Sequence, residues 1–554
     1  MAPSVISRRS VVLWGLPLIV LFLLSACSAP ATPTPAPATA PGEAFFKPSG
    51  NCAACHQGLK DSTGADVSIV PEWQTSVMGN AALDPYFRAS VRMELLNAPQ
   101  YADAIQSKCA TCHTPMARVT QEAQGESTAL LGEEGVLAEG HVLGKLALDG
   151  VSCTVCHQIP QPPAGELRHS GNMAIDTVTA MGERLLYGAL PISEQNRQTM
   201  QAASGYLAVQ SEHVRQSQLC ATCHELYLNY ITADGSLSGE DALFYEQTPF
   251  SEWLASDFAQ QSSCQDCHMP AAAGSAPVSN ITPQNTYQPF YRHTFTGGNV
   301  FLLTLLKDGK VEGVRNPGGT GLDAHIARTT EYLQTRTATL AITSPRQEGD
   351  NLEFAVRVDL LTGHKFPTSF PSRRAWLHVT VKDASGRVVF ESGGYERDGK
   401  IYGNASDENP ETYEPHYTLI TAADQVQIYE PVMQTETGKV TTYQLLAASY
   451  IKDNRLLPRG FNKSQPPRVS AVVGDALNDP DFTGGGDTVQ YRIPVNPAGA
   501  PFTIEAELLY QSVSYRWAKN VLDTQSAEAQ TFGGMLAQTG NVPVMVASAS
   551  AQTR

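Results

Sequence analysis

The chain has 554 residues and a mass of 59.6 kDa, enough for two or three ordinary domains, and its 42% of apolar residues is enough to build a core. The formal net charge is −16 and no basic run occurs, which excludes long-range attraction to nucleic acid or to an anionic lipid surface. Eleven cysteines are few for a disulfide scaffold of this length, and ten of them fall between Asn51 and Pro270.

At the N-terminus Arg8 and Arg9 precede Val11 to Leu24, an uncharged stretch broken by Pro17. It suits a signal-peptide core and falls short of the roughly 20 apolar residues that span a membrane. Leu24-Ser25-Ala26-Cys27 resembles a bacterial lipoprotein cleavage box, in which the cysteine becomes the lipid-modified first residue. Residues 1–26 are therefore read as a lipoprotein signal peptide and Cys27 as the lipidation site. An ordinary secretory signal or an uncleaved anchor is the alternative. Residues 27–44, with prolines at 30, 33, 35, 37 and 41, read as an extended linker without a core.

Five copies of Cys-x-x-Cys-His follow: Cys52/Cys55/His56, Cys109/Cys112/His113, Cys153/Cys156/His157, Cys220/Cys223/His224 and Cys264/Cys267/His268 (motifs 1 to 5). Two thiols three positions apart reach the two vinyl groups of one porphyrin, and the next histidine lies under the iron as proximal ligand. This composition yields about 0.005 such copies by chance. Zinc sites do not require a histidine after every second cysteine, and a redox dithiol needs one motif and no histidine. The sequence thus predicts five covalently bound haem c groups. Successive motifs start 57, 44, 67 and 44 residues apart, so each macrocycle has too little protein to cover it alone. The haems are expected to pack against one another, joined by short helices and loops. Asp84 to Asn97 and Glu194 to Ser211 carry loosely helical periodicity.

Eight histidines lie outside the motifs. Candidate distal iron ligands are His293, in a glycine-containing aromatic loop; His364, in Thr362-Gly-His-Lys-Phe-Pro-Thr368; His213, seven residues before Cys220; His141, after a glycine; and His416, in Glu414-Pro-His-Tyr417. Met78 is the methionine candidate, and an axial Met raises a haem's potential relative to two histidines. His169 is a weaker candidate. His325 reads as an exposed helix residue, and His378 as a surface histidine beside Trp376.

From Thr337 the pattern is β. Leu352, Phe354, Val356, Val358 and Leu360 alternate with polar or small residues, the period of a half-buried strand. Trp376–Lys382 and Arg387–Glu391 flank the turn signal Asp383-Ala-Ser-Gly386. Val426–Gln434 and Val440–Leu446 flank a second turn, and Phe502 to Tyr510 alternate again. About seven short strands imply an antiparallel sandwich. The overall reading is α+β: a mainly helical and loop multihaem region at 45–300, a connector at 301–336, a β-sandwich-like domain at 337–545 and a loose tail at 546–554. No cysteine falls in the β part, which reads as a packing module that lends one or two distal ligands.

With the five motifs in place, the chain resembles bacterial multihaem cytochromes c, particularly those related to the tetrahaem cytochrome c of ammonia oxidisers. Beyond the motifs, the resemblance rests on Trp73 to Pro85, Asp149-Gly-Val-Ser-Cys153, Leu219 to His224, Cys267-His-Met-Pro270, Gly363-His-Lys-Phe-Pro-Thr368 followed by Arg373 to His378, and Lys452-Asp-Asn-Arg-Leu-Leu-Pro458. It covers Phe45 to about Phe461 and implies periplasmic or surface electron transfer through mostly bis-histidine haems. The fifth motif and the long β extension depart from the tetrahaem pattern, and Ser76-Val-Met78 stands where relatives often carry Ser-x-His. An electron carrier in the cell envelope, lipid-anchored and served by redox partner proteins, is the favoured function over an enzyme. The alternatives are an oxidoreductase with one open iron and a subunit of a homo-oligomer or filament. The nitrite-reductase mark, Cys-x-x-Cys-Lys, does not occur.

Overall fold

The computed structural model describes residues 45–553. The expected signal peptide, Cys27 and the proline-rich linker lie outside the described residues. From 45 to 300 the chain forms short helices and two-stranded ribbons threaded between loops. The longest helix here, Pro85–Asn97, starts where Asp84 accepts hydrogen bonds from the Tyr86 and Phe87 amides, with Pro85 in its first turn. Helix Glu194–Ser204 is capped by Ser193 and ends at Gly205, whose φ of 80° is left-handed. The helix expected to run to Ser211 therefore stops early, and Leu207–Gln210 is a strand, parallel to Leu185–Gly188.

The connector at 301–336 is two helices, Val300–Asp308 and Gly321–Arg336, which bury Leu302, Leu303, Leu305, Leu306 and Leu333. Among the described residues no helix is long and apolar enough to cross a membrane.

The β region has twelve strands: β1 (Ala338–Glu348), β2 (Asn351–Leu360), β3 (Arg374–Lys382), β4 (Val388–Ser392), β5 (Leu419–Ile420), β6 (Ile428–Tyr429), β7 (Pro431–Gln434), β8 (Val440–Thr441), β9 (Ser449–Asp453), β10 (Gly486–Pro494), β11 (Thr503–Gln511) and β12 (Val544–Gln552). One sheet runs β5-β10-β2-β1. Another runs β4-β3-β11-β12, with β6 also on β3, and β8-β7-β9 form a third. Val356 opposes Val489 in the first, and Leu377 opposes Leu508 in the second. Alternation delivers Phe354, Val356 and Val358 of one sheet, and Val379, Val381 and Ile504 of the other, into a common apolar cluster.

Two expectations fail here. The end read as a loose tail is β12, paired antiparallel with β11. Its alternating serine and alanine carry no apolar signal, because only one of its faces meets the core. The other is the expected number of about seven strands: this region has twelve, among them central strand β10, in which Val489, Tyr491 and Ile493 alternate inward with Gln490 and Arg492 outward. Helices Tyr515–Leu522 and Ala527–Thr539 pack back onto Pro85–Asn97 through Trp517, Phe532 and Tyr86, so the C-terminal part of the chain covers the N-terminal one.

Candidate haem-binding site

Motifs 2 to 5 ride on helices or helix C-termini: Ala102–His113, Cys153–Cys156, Ser217–His224 and Cys264–His268. A helical turn puts the two cysteines of each of these motifs, Cys109 and Cys112 for example, on one face, the geometry a doubly attached ring needs. Motif 1 straddles a helix end: Cys52 lies in helix Ser49–Ala53 and Cys55 in the turn that follows. The His56 amide still donates to the Cys52 carbonyl at 3.0 Å, the α-helical bond that the His157 amide makes to Cys153 in motif 3, so the same turn sets the thiol spacing. Asn280 holds this turn: its backbone amide donates to the Cys55 carbonyl at 2.9 Å, and its side-chain amide to the Ala54 and Gln57 carbonyls at 3.1 and 3.2 Å. None of the ten motif cysteines is in a disulfide, and all are partly exposed.

Four proximal histidines share one arrangement. Nδ1 meets a backbone carbonyl in each: His56 with Val278 at 2.7 Å, His113 with Ala81 at 3.0 Å, His157 with Tyr187 at 2.6 Å and His268 with Thr296 at 2.6 Å. A carbonyl only accepts, so Nδ1 carries the proton and Nε2 keeps its lone pair. That is the tautomer, and the outer-shell support, of a metal-bound imidazole. Burial pushes His113 down to about 4, and His224 likewise, so both stay neutral at pH 7.

Two further histidines face proximal ones. The ring centres of His157 and His293 are 6.5 Å apart with planes 18° from parallel, and those of His268 and His364 are 6.2 Å apart at 8°. Metal–imidazole bonds of about 2.0 Å, with about 1.2 Å from ring centre to nitrogen, put two rings on one metal about 6.4 Å apart. Both observed spacings match. Nδ1 of His364 meets the Lys365 carbonyl at 2.9 Å, leaving Nε2 of both His268 and His364 free. These residues fit an iron porphyrin, and the decisive feature of that fit is the His268–His364 pair, both anchored at Nδ1 with Nε2 free and standing at the spacing of a shared metal. A buried carboxylate steadies each distal loop: Glu72 accepts the His293 amide at 2.9 Å, and Glu252 the Lys365 amide at 3.2 Å.

The other candidates lie differently. His213 has both nitrogens engaged, Nδ1 with Ser211 Oγ at 2.7 Å and Nε2 with the Ile159 carbonyl at 2.9 Å. His416 is buried in the β region. Its Nδ1 receives amide donors from Gln427 at 2.8 Å and Asn454 at 3.1 Å, and its Nε2 meets Asp479 at 2.9 Å. The Gln427 and Asn454 amides are held in that orientation because their oxygens accept the Tyr417 and Glu430 amides. His416 is therefore an Nε2–H donor to Asp479, and neither nitrogen is left for an iron. The same tautomer argues against a metal among His416, Asp479 and Asp487, whose ligand atoms cluster within 4.8 Å. His141 Nδ1 accepts the Leu143 amide at 3.1 Å. His169 packs on Tyr227 with ring centres 4.5 Å apart. His378 bridges Glu391 and Glu507. Met78 is half-buried, and its carbonyl accepts the Val151 amide.

His325, expected to be an exposed helix residue, is the opposite. It is 1% exposed, and Nδ1 lies 3.0 Å from Thr75 Oγ1, a hydroxyl also 3.0 Å from the Glu72 carbonyl. The Thr75 proton goes to Glu72, so His325 Nδ1 donates and Nε2 is left with a lone pair. The signal is its place one turn from Leu322 and Thr329 on the inner helix face.

Side-chain straps set which motifs are neighbours. Asp149 accepts the amide and hydroxyl of Ser49 before motif 1, the hydroxyl of Ser152 before motif 3, and Arg315 Nη1 at 2.8 Å. The Cys52 and Cys153 thiols are hydrogen-bonded, which holds Cys52 below the usual thiol range. Gly171 joins motifs 2 and 4: its amide donates to the Thr222 carbonyl at 2.7 Å, and at φ 80° a Cβ on it would fall 1.9 Å from Thr111 Cγ2. The Cys112 and Cys223 thiols meet beside it. The His213–Ile159 bond joins motif 3 to motif 4. Motif 5 is tied to motif 4 by Cys264 N to Ser217 Oγ at 3.1 Å, and by Gln265 to the Val214 and Gln216 carbonyls. Thr154 Oγ1 of motif 3 also meets Met116 Sδ, just after motif 2, at 3.5 Å. Motif 4 thus touches motifs 2, 3 and 5, and motif 3 also touches motifs 1 and 2.

No protein-family model and no curated protein matches this chain. Among solved structures, the chain is similar to a penta-heme cytochrome c552 from Thermochromatium tepidum, at 17% identity and a TM-score of 0.50, over 92% of this chain and 100% of that one. At that identity the likeness is one of fold: this chain has the α+β fold of a penta-heme cytochrome.

Proposed function

We propose that the chain is a pentahaem c-type cytochrome that passes electrons along covalently held haems in the bacterial cell envelope. The observation that carries the reading is the repeated pairing of a Cys-x-x-Cys-His histidine, Nδ1 fixed on a carbonyl, with a second imidazole at the spacing of a shared metal. Bound haem c supplies one-electron iron chemistry. The ten motif cysteines hold the rings, and His56, His113, His157, His224 and His268 ligate the irons. His293 and His364 add distal ligands at motifs 3 and 5. The straps put motif 1 on motif 3, join motifs 2, 3 and 4 to one another, and hang motif 5 on motif 4, the path assigned to the electrons. The basic and apolar start followed by Cys27 supports export and lipid anchoring, and redox proteins serve as donor and acceptor. The test is a pyridine haemochrome assay: five haems per chain with low-spin spectra are expected, and colourless, unmodified peptides refute the reading.

Histidine accounting favours a second reading in which one iron lacks a second histidine and binds small ligands. His213, His378 and His416 have both nitrogens engaged, and His141 accepts at Nδ1. That leaves His169, His293, His325 and His364 for five irons. A persistent high-spin signal that responds to cyanide decides for this reading.

A further inference from the structure

Two sequence segments outside the haem motifs, Gly363-His-Lys-Phe-Pro-Thr368 and Lys452-Asp-Asn-Arg455, meet in the structure around four buried charges. Lys365 Nζ lies 2.7 Å from Asp453 Oδ2. Arg455 grips Asp453 through Nε and Nη2, both at 2.8 Å, and reaches Glu252 Oε1 with Nη1 at 2.8 Å. Glu252 Oε2 closes the ring, accepting the Lys365 amide at 3.2 Å and Thr368 Oγ1 at 2.5 Å. All four side chains are at most 5% exposed. Two positive and two negative groups cancel, so the cluster tolerates burial only while complete.

Lys365 links this network to the chemistry. Its carbonyl orients the His364 ring, its amide is held by Glu252, and its ammonium by Asp453. Gly363, on the other side of His364, lies so close to helix Pro249–Leu254 and the turn after it that a Cβ would fall 3.0 Å from Phe258 Cβ. His364 therefore hangs between a residue wedged against Phe258 and one anchored at three points. Glu252 belongs to the haem-motif part of the chain, while Lys365, Asp453 and Arg455 belong to the β part.

We propose that Glu252, Arg455, Asp453 and Lys365 are positioning residues that hold His364 at the axial site of motif 5. An intact ring keeps that iron six-coordinate, and a broken one lets the ligand leave. This rests on the reading of His364 as a distal ligand, and it goes further by assigning control of that ligand to a charge ring that touches no iron.

The test uses the full haem-loaded protein, with haem content from pyridine haemochrome and spin state from electron paramagnetic resonance. His364→Gly should convert one haem equivalent to high spin, and added imidazole should restore it. Glu252→Gln keeps shape but leaves one buried positive charge in excess. It should retain five haems and convert on the order of half of one haem equivalent to high spin, also reversed by imidazole. Thr368→Val leaves the charges balanced and removes one bond to Glu252. It should shift the same signal less, and it serves where Glu252→Gln does not assemble. If His364→Gly leaves every haem low-spin, the ligand reading itself fails. If His364→Gly converts one haem while Glu252→Gln and Thr368→Val change only the melting temperature, the ring is merely structural and the proposal is overturned.

Discussion

His268 and His364 face each other with ring centres 6.2 Å apart and planes 8° from parallel, although 96 residues separate them. His268 ends a haem motif and His364 lies in the loop between β2 and β3. On the proposed ligation, the β region completes a centre that it does not itself attach. At His157 and His293 both residues come from the N-terminal part, so that pair takes nothing from the β region.

Substituting these distal residues should give additive, countable effects. His293→Ala should turn one haem high-spin and His364→Ala another, and the double variant should turn two. His293→Met and His364→Met should keep low spin while raising one midpoint potential each, because a thioether favours ferrous iron. Spectroelectrochemical titration of these variants is the check, and a His293→Ala protein with unaltered spin state contradicts the assignment at motif 3.

The straps predict a branched path. Replacing Cys220 and Cys223 with Ala should remove one haem and cut the group at motif 5 off from the rest, while motifs 1, 2 and 3 stay joined through motif 3. Electron redistribution between motif 5 and the others after a rapid partial reduction should then slow strongly, and exchange among motifs 1 to 3 should persist. Replacing Cys264 and Cys267 should leave exchange among motifs 1 to 4 nearly unchanged. Loss of exchange among motifs 1 to 3 in the motif 4 variant would contradict the branched path.

Much of this was legible in the residues. Cys-x-x-Cys-His is a local motif whose spacing is its chemistry, so all ten cysteines and five proximal histidines could be read directly. What the motif does not encode is its support: the Cys55 carbonyl accepts the amide of Asn280, 225 residues further on. Strand β2 showed itself through alternation. Distal ligands were harder, because ligation depends on where a loop returns in space. His293 and His364 have glycine-containing loops as a clue; His213 and His416 lack it and are engaged at both nitrogens. The polar runs His-Lys and Lys-Asp-Asn-Arg look like surface from sequence alone. They are buried because they neutralise one another, a property of the pair and invisible in either segment.

His213 should behave as a strap and not as a ligand. His213→Ala removes the bond to the Ile159 carbonyl and leaves a buried acceptor unsatisfied, costing about 1–3 kcal/mol of stability. All low-spin haem should persist. Denaturant unfolding and the low-spin signal, measured on one sample, separate the two roles, and a new high-spin haem would reinstate His213 as an axial residue.

Glu246 makes the protein's stability depend on pH. It lies on the strand Phe244–Gln247, 3% exposed, and burial pushes its carboxyl up to about 8 from an ordinary 4.5. Cys112 and Glu94 push the same way, while Lys108 and a bond from Gln247 oppose them. Cys112 loses its titrating thiol once it is a thioether, but burial remains the largest cause. Between pH 4.5 and 8 the folded state holds a proton that the unfolded state has lost. Stability therefore falls as pH rises across that window, by no more than about 5 kcal/mol, and levels off above it. Glu246→Gln should remove this group's share of the slope, most visibly between about pH 7 and 8, above the range where the buried Asp84 and Glu94 titrate at about 6 and 7, and leave the variant more stable than the parent at about pH 8 to 9. The carboxylate that forms near motif 2 also favours ferric iron, so one midpoint potential should drop by tens of millivolts between about pH 7 and 9 in the parent and stay flat in the variant. Unfolding midpoints and redox titrations across that range test both halves, and parallel pH profiles for parent and variant would remove Glu246 from the account.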